Sequence, residues 1–434
     1  MLIEFGVENL LSYKDRQIFK MDSDYRRSNI FNDNVLYKVP VDKKNRYVLN
    51  TAAIYGSNAG GKTNLIASMR YLHEIVKSSN DLNAIASFQF TKERKPTSFY
   101  IKFLKRYDED NYLFEYVLDI FDGKVLKEQL SYQLVRKTTL SAKQIIFERE
   151  KDQINEYERA LNELVKDTNK NNNEARSILT VLYQDINKTH YQNTVDTLAY
   201  QLLKVAYEFI AYDLVFGRES IDESYLVKKL QESPELKEQL IDALYDIDIS
   251  ITDLEFEDVT DLLIEDIMND THWPKDLKKK FIETKKSDRV YNIKTVRELK
   301  DGHFNIEFGS ESLGTIKFIF EFIQLMDCIE NNRVYITDEM ENHYHPLIQR
   351  YILQLFLQQG KGHTSQLIFT THNTDFLESK LFAKEQIWLI DKDRHSLASE
   401  VYRLSDFDEV TYENHNWRNI YREGRIGAIP KVIY

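Results

Sequence analysis

Cysteine is almost absent from this sequence, with one residue, Cys328, among 434. A single thiol excludes an intramolecular disulfide framework. Its place in the largely apolar stretch 318–329 is typical of a side chain that fills a core, not of a nucleophile. Proline and glycine are also scarce, with 6 and 13 residues, and we find no internal repeat or low-complexity tract. With 42% hydrophobic residues, the composition is that of a globular protein.

Long apolar runs and a surplus of basic residues are missing too. No run approaches the ~18 apolar residues needed to span a bilayer, and Met1–Phe5 lacks the basic region and long apolar stretch of a signal peptide. We therefore expect a cytoplasmic protein without a membrane partner. Lysine and arginine number 58 against 70 aspartates and glutamates, a formal net charge of −12. This charge argues against a surface that coats nucleic acid all round, although a local basic patch is compatible with it.

The spacing of apolar residues divides the chain into three stretches. Residues 1–140 read as short strands, one strand–loop–helix unit and an antiparallel sheet. Residues 141–300 show mainly helical spacing without a sustained heptad seam, which argues against a long coiled-coil arm. Residues 301–434 alternate between strand and helix patterns, which indicates a parallel sheet with helices on its faces. The sequence thus predicts one α/β domain that a mainly helical insertion interrupts.

A glycine-rich segment between a buried-strand pattern and a helical pattern carries the strongest functional signal. It matches the P-loop pattern G-x-x-x-x-G-K-[ST] in full. Its residues are Gly56, Ser57, Asn58, Ala59, Gly60, Gly61, Lys62 and Thr63. Glycines let the backbone wrap closely around phosphate, and N–H groups at the helix start face the anion. Lys62 supplies a cation to the β- and γ-phosphates and Thr63 a hydroxyl to Mg²⁺, so the segment predicts binding of ATP and Mg²⁺.

Two acids follow a buried-strand pattern late in the chain. Val334–Thr337 is directly succeeded by Asp338 and Glu339. Asp338, at the carboxyl end of the strand, is placed to bind Mg²⁺ directly or through water. Glu339 projects differently and is the candidate general base that orients the attacking water. A polar strand end before a helix cap is the alternative, and the complete P-loop upstream favours the catalytic interpretation.

Two further segments complete the candidate catalytic set. A strand pattern over residues 367–371 leads to His372, whose side chain is suited to sensing the γ-phosphate. Ser310–Thr315 directly precedes a helical pattern, and small residues at a helix N-terminus form an anion site. A structural histidine and an ordinary helix cap are the alternatives for these two segments.

In their order, these motifs resemble those of the ABC-type ATPases, which include transporter subunits and SMC-like DNA-repair proteins. The resemblance implies that Ser312 and Gly314 belong to the signature motif, which contacts the γ-phosphate bound by the partner subunit's P-loop. Leu313 stands where the family has a glycine. The family also implies a glutamine at the metal, for which Gln89 is the first candidate by position and Gln129 the second. The expected assembly is a head-to-tail dimer or a higher oligomer.

A narrower resemblance covers most of the chain. The segments Asn9–Tyr13, Ile54–Asn64, Asp338–Pro346 and Tyr421–Pro430 are similar to those of the RloA or AbiLi type of bacterial ATPase. The resemblance implies that Asn64 joins the nucleotide site. It also implies the ATPase half of an anti-phage or abortive-infection system, with a separately encoded effector protein as partner.

Other functions stay open at this point. They are an SMC-like DNA-repair ATPase, a scaffold that binds ATP with negligible hydrolysis, and the ATPase subunit of a transporter. Lys275–Lys300 contains ten Lys and Arg against four Asp and Glu, so DNA is a possible partner, as is a phage component. A solvated lysine-rich helix and hairpin explains the same composition.

Overall fold

The computed structural model describes residues 1–23, 35–41, 44–78, 82–171, 174–186, 197–217, 222–270, 272, 274–287, 289–341, 344–357, 363–377, 381–411 and 416–430. The helices in these ranges are α1 (Lys62–Ser78), α2 (Asn162–Thr168), α3 (Ile178–Ile186), α4 (Leu198–Glu208), α5 (Glu223–Glu232), α6 (Pro234–Asp246), α7 (Thr260–Asn269), α8 (Lys275–Ser287), α9 (Leu313–Glu330), α10 (Pro346–Leu357) and α11 (Trp417–Arg422).

The strands in the same ranges are β1 (Leu2–Glu8), β2 (Gln17–Lys20), β3 (Asp22–Ser23), β4 (Val35–Val41), β5 (Lys44–Leu49), β6 (Thr51–Gly56), β7 (Thr97–Tyr107), β8 (Asp110–Phe121), β9 (Lys124–Val135), β10 (Gln144–Glu150), β11 (Gln153–Tyr157), β12 (Leu214–Phe216), β13 (Asp253–Asp258), β14 (Tyr291–Leu299), β15 (Gly302–Glu307), β16 (Val334–Thr337), β17 (Gln366–Thr370), β18 (Ile387–Lys392) and β19 (Ser399–Arg403).

These elements group into two units. Unit 1 comprises Met1–Phe216, Cys328–Glu341 and Leu357–Tyr434, and unit 2 comprises Gly217–Asp327 and Asn342–Phe356. Helices α2, α3 and α4 of the predicted insertion fall in unit 1, because their apolar residues are buried in its core. Helices α5 to α8 fall in unit 2. The domain boundaries at residues 140 and 300 stay a prediction.

One sheet of unit 1 is parallel over most of its width. Its order is β12–β16–β17–β6–β18–β19, parallel from β12 to β18 and antiparallel at β19. Strands β6, β16 and β17 are buried along their whole length. Strands covered on both faces read as continuous apolar runs, and for that reason the sequence revealed them. The apolar strands predicted near residues 334 and 367 are confirmed as β16 and β17.

The other large sheet of unit 1 is antiparallel, in the order β11–β10–β9–β8–β7–β1–β2. It includes the alternating pattern predicted as an antiparallel sheet. Helix α1 contributes Leu65, Met69 and Leu72 to the same buried cluster as Ile54 of β6 and Ile336 of β16. Burying apolar side chains of this size stabilises by about 1.5–3 kcal/mol each. The core therefore fixes α1 relative to the ends of the parallel strands.

Unit 2 combines helices with the antiparallel sheet β13–β14–β15. Helix α6 begins as its sequence predicts: the Ser233 hydroxyl accepts a hydrogen bond from the Leu236 N–H at 3.2 Å, and Pro234 occupies the first helical position. Among the residues that the structure describes, no helix is long and apolar enough to cross a bilayer.

A buried carboxylate organises the helical side of unit 1. Glu128 and Arg149 have fully buried side chains 3.6 Å apart. The Glu128 carboxylate accepts hydrogen bonds from the Tyr116 hydroxyl and from the backbone N–H groups of Ile178 and Leu179, at 2.8–2.9 Å. The last two lie at the N-terminus of α3, where negative charge is favoured. Strand β9 thus caps α3, which in turn packs against α1.

We predict that Glu128→Ala destabilises the protein by roughly 3–5 kcal/mol, because it leaves Arg149 as a buried cation without its carboxylate. Denaturant unfolding followed by circular dichroism measures this loss. Glu148→Ala is the matched control, since Glu148 forms its ion pair with Lys127 in a more exposed position and should cost less than about 1 kcal/mol. Equal losses in the two variants would contradict the role given to Glu128.

Candidate functional site

The P-loop connects the carboxyl end of β6 to the first turn of α1. Ala59 and Gly61 have positive φ values of 60° and 122°. A Cβ atom on Gly56 would lie 2.5 Å from the Ile390 carbonyl oxygen, and one on Gly61 would lie 2.5 Å from the Ser399 hydroxyl. Glycine is required at both positions, since a side chain would collide with β18 or β19. The loop therefore packs closely against β18 and β19 and leads into the N-terminus of α1, where backbone N–H groups receive phosphate.

Residues from both ends of the chain support this loop. The Tyr13 hydroxyl donates to the Gly61 carbonyl at 2.8 Å, and the Ser399 hydroxyl donates to the Gly60 carbonyl at 2.7 Å. The Asn64 amide donates to the Ser12 hydroxyl at 2.8 Å. Burial raises the pKa of Tyr13, so its hydroxyl stays protonated and continues to donate. Asn9–Tyr13 was recognised only through a resemblance, and no sequence pattern singled out Ser399.

Lys62 is the central cation of the site. Its ammonium group donates to the carbonyls of Gly56 and Ser57 at 2.9 and 3.3 Å and lies 2.9 Å from His372 Nε2. Burial lowers the pKa of Lys62, and the carboxylates of Asp338, Glu341 and Glu339 act in the opposite direction. The P-loop lysine, the predicted acids and the predicted histidine are therefore close enough to influence one another.

The acid pair follows β16 and is held by a hydroxyl from the neighbouring strand. Thr370 Oγ1 donates to Asp338 Oδ1 at 2.5 Å and accepts from the Glu339 N–H at 2.7 Å. Glu339 has a φ of 48°, in the left-handed region that a glutamate rarely adopts. Strain of this kind is concentrated at functional sites.

A third acid, Glu341, holds the loop that carries the histidine. Glu341 Oε1 accepts a hydrogen bond from the His372 N–H at 2.5 Å. Its Oε2 atom is buried and has no hydrogen-bond partner within the described part of the chain. Burial lowers the pKa of His372, and the neighbouring Lys62 lowers it further. A neutral His372 accepts on Nε2 from Lys62. The sequence motif contained Glu341 without indicating this role.

The predicted metal ligands lie in different surroundings. Thr63 is exposed in the first turn of α1, and Asp338 lies partly buried at the end of β16. Gln89 is exposed in the segment between α1 and β7, where it lines a cavity of about 460 Å³ with Asn83 and Arg94. Gln129, the other candidate, is on β9 and donates to the Glu148 carboxylate at 2.7 Å. In the chain as far as it is described, no three acidic, histidine or cysteine side chains form a metal cluster.

The signature-like segment belongs to unit 2 and opens α9. The Ser312 hydroxyl accepts from the Thr315 N–H at 3.1 Å, which makes it a helix cap, and Leu313 is 50% exposed. The preceding Glu311 receives both guanidinium NH₂ groups of Arg297, at 2.8 and 2.9 Å. Arg297 thereby lowers the pKa of Glu311. Gly314 lies half-buried in the first turn. Ser312 thus caps α9 as an ordinary helix cap does, and the segment around it is also exposed at the surface of unit 2.

The basic stretch Lys275–Lys300 is partly neutralised. Within unit 2, Arg289 pairs with Asp258 at 2.8 Å and Lys294 with Glu257 at 3.4 Å, in addition to the Arg297–Glu311 pair. Paired cations contribute less to phosphate binding than free ones. The structure therefore gives the nucleic-acid interpretation of this stretch no added support.

The chemistry of the site fits a nucleotide and its metal. Lys62 follows the P-loop at the position where a lysine meets phosphate oxygens, and its ammonium group already lies on the loop carbonyls of Gly56 and Ser57. Thr63 and Asp338 offer the hydroxyl and carboxylate oxygens that Mg²⁺ prefers. A magnesium ion held there would neutralise the charge of the phosphates.

A family model matches residues 52–378, well over half of the chain; the family is described as "AAA domain, putative AbiEii toxin, Type IV TA system". The matched segment contains the P-loop, the acid pair and His372. No curated protein matches the sequence.

Solved structures of SMC heads align along most of the chain at low identity. An Smc head bound to the C-winged helix domain of ScpA is 11% identical, with 93% of this chain and 97% of that chain covered and a TM-score of 0.40. The SMC head domain from Thermotoga maritima is 10% identical over 93% and 98%, with a TM-score of 0.36. A Pyrococcus furiosus Smc head with an extended coiled coil, bound to the C-terminal domain of ScpA, is 12% identical over 98% and 99%, with a TM-score of 0.35.

Structural similarity at TM-scores of 0.40 and below is not evidence for a shared function. The family match and the strand–loop–helix context of the P-loop confirm the predicted fold class, an α/β P-loop NTPase domain with a mixed sheet, while the mostly helical insertion stays a prediction.

We predict that Lys62→Met raises the pKa of His372, because the substitution removes the neighbouring positive charge that helps to hold this pKa below the ordinary value of 6.5. Titration of the histidine ring signals by NMR measures the change, with His372→Gln used to assign the signal. Lys77→Met, at the exposed end of α1, is the control and should leave the titration as it is. An unchanged or lower pKa in Lys62→Met would contradict the contact.

Proposed function

The chain belongs to this family of AAA-domain proteins, and on that premise we propose that it is an ATPase that binds ATP with Mg²⁺ and acts as a dimeric switch. The observation that carries the proposal is the convergence of Lys62, Glu339 and His372 at the carboxyl ends of neighbouring parallel strands. Ligands of open α/β sheets bind at such edges. The site offers a cation for phosphate, a carboxylate for water and a polar group for the γ-phosphate.

Each residue has a chemical task in this proposal. On binding, Lys62 exchanges the carbonyls of Gly56 and Ser57 for phosphate oxygens, which costs little because the ammonium group is already desolvated. Thr63 and Asp338 would hold Mg²⁺, joined by Gln89 if its segment moves to the metal. Glu339 accepts a proton from the attacking water. His372, released from Lys62, donates a hydrogen bond to the γ-phosphate and couples the presence of this phosphate to the position of the loop that follows.

We propose that two copies complete the site head to tail. The signature-like Ser312–Thr315 of one protomer would contact the γ-phosphate held by the P-loop of the other, through Ser312 and the N-terminus of α9. The exposure of this segment in unit 2 supports a role in contacting another molecule. The γ-phosphate is then the contact that differs between an ATP-closed and an open state, as a two-state switch requires.

The biological reading we favour is anti-phage defence. The family description names a toxin of a toxin–antitoxin system, and the chain resembles RloA or AbiLi proteins. In this reading the ATP-dependent state of the dimer holds or releases a separately encoded effector. An SMC-like DNA-repair ATPase is the second candidate. DNA-stimulated hydrolysis would favour it, whereas loss of phage protection in a Lys62→Met strain would favour defence.

We predict that Glu339→Gln lowers the rate of ATP hydrolysis by about 10²–10⁴-fold, because the amide cannot accept the proton of the attacking water. The same variant should form an ATP-dependent dimer, since bound nucleotide is no longer cleaved. Phosphate release and analytical ultracentrifugation in ATP–Mg²⁺ measure the two effects. Glu150→Gln, at an exposed position of β10, is the control. Hydrolysis by Glu339→Gln at the wild-type rate would exclude Glu339 as the base. A wild-type protein that binds ATP without cleaving it would favour the alternative of an ATP-binding scaffold with negligible hydrolysis.

A mixing experiment tests the head-to-tail arrangement. Lys62→Met and Ser312→Arg should each be inactive alone, the first because it loses phosphate binding and the second because it blocks the partner's site. An equal mixture should regain about a quarter of wild-type hydrolysis, since half of randomly formed dimers are mixed and each contains one intact site of two. Two Ser312→Arg preparations mixed together are the control. A mixture as inactive as its parents would contradict a site shared between protomers.

A further inference from the structure

The loop after β17 carries His372 and is short. It continues into a single 3₁₀ turn, Thr374–Phe376, whose cap is the Asn373 side chain accepting from the Asp375 N–H at 2.9 Å. One such turn has few internal hydrogen bonds with which to fix its own position. The position of His372 therefore depends on what the loop contacts.

Two of these contacts come from residues near the P-loop and the acid pair. The Tyr55 hydroxyl of β6 donates to the Asn373 carbonyl at 3.0 Å, and Glu341 accepts from the His372 N–H at 2.5 Å. Both bind backbone atoms on the side of the loop nearest His372. The 3₁₀ turn is held in part by Phe376, whose buried ring meets the Phe369 ring of β17 edge to face.

Polar contacts to the same turn come from two arginines of α11, Arg418 and Arg422. Arg418 Nε donates to the Thr374 carbonyl at 3.1 Å, and its terminal nitrogens donate to the Asp375 carbonyl at 3.3 Å and pair with the Asp375 carboxylate at 3.2 Å. Arg422 donates to the Thr374 hydroxyl at 2.9 Å. A planar guanidinium group binds several acceptors in a fixed geometry, which a lysine cannot do.

Helix α11 is itself firmly anchored in unit 1. The Trp417 side chain is completely buried, and its indole N–H donates to the Thr411 carbonyl at 3.0 Å. The Tyr421 ring meets the Tyr55 ring edge to face, with centroids 5.7 Å apart, and its hydroxyl donates to the Ala428 carbonyl at 3.0 Å. The arginines therefore extend from a rigid base, and Tyr55 links that base to the strand that leads into the P-loop.

We propose that α11 is a positioning element of the hydrolytic site, in which Arg418 and Arg422 clamp the 3₁₀ turn and so hold His372 against the phosphate site. This inference rests on the proposed ATPase function. It gives α11 a role in the rate of hydrolysis and not in the binding of nucleotide, because Thr374 and Asp375, which the two arginines bind, belong to the loop that carries His372. Displacing a catalytic group by about 1 Å costs on the order of 100-fold in rate.

The test compares arginine variants of the same segment. In Arg418→Ala and in the double variant with Arg422→Ala, we expect kcat to fall by about 10- to 100-fold while the KM for ATP changes by less than about threefold. Arg418→Lys should be intermediate. Arg425→Ala is the control. Arg425 lies in the segment Tyr421–Pro430 but pairs with Glu409 and Glu423, so this variant should retain wild-type kcat.

A double-mutant cycle tests the contact itself. The effects of Arg422→Ala and Thr374→Val on kcat should be non-additive, because the two side chains act together.

Hydrogen exchange supplies a readout that does not depend on hydrolysis. The amides of the loop around His372 should exchange faster in Arg418→Ala than in wild type or Arg425→Ala. Wild-type kcat in the double variant, or unchanged exchange, would overturn the inference while the proposed function stands. Equal losses of ATP binding and kcat would also overturn it, since the arginines would then support the fold alone. A wild type without hydrolysis would instead overturn the proposed function, and the catalytic role of the clamp with it.

Discussion

The site depends on one buried cation. An ammonium group removed from water must have acceptors, and Lys62 finds them in the carbonyls at the start of its own loop and in His372. The carboxylates of Asp338, Glu339 and Glu341 lie near enough to favour the positive charge of Lys62. The parallel pairing of β16, β17 and β6 brings these groups together, since each contributes its residues just beyond its carboxyl end. A change in the register of one strand would separate the lysine from the groups that stabilise its charge.

The sequence predicted what is local to one segment. A P-loop is a continuous pattern, and the strands before it and before Asp338 are continuous apolar runs, so both could be recognised without a structure. The same holds for the capping of α6 by Ser233, in which every atom involved lies within four residues. The contacts within unit 1 that hold the site together could not be predicted in this way. Tyr13, Ser399 and Arg418 reach the site from parts of the chain far apart in sequence, and a tyrosine, a serine or an arginine alone has no pattern that indicates its partner.

Glu341 and the metal glutamine illustrate two further limits. Glu341 stood inside a recognised motif, yet its bond to the His372 amide depends on how two loops approach one another. Gln89 was chosen by its order in the chain, and order fixes neither the path of a loop nor its distance from a metal. The extent of the helical insertion could not be predicted from the sequence for a similar reason. Helical spacing reveals that helices α2 to α8 exist, but it cannot reveal that α2, α3 and α4 bury their apolar faces in unit 1.

The braced P-loop has a consequence for how such a chain can evolve. Ser12, Gly61 and Ser399 meet at one point, where the Gly61 Cα has no room for a methyl group beside the two hydroxyls. These residues stand at positions 12, 61 and 399 of the sequence. A recombination event that exchanged only one of the three stretches with a diverged copy would therefore bring together mismatched parts of one joint. We expect genetic exchange to keep the three stretches of one lineage together.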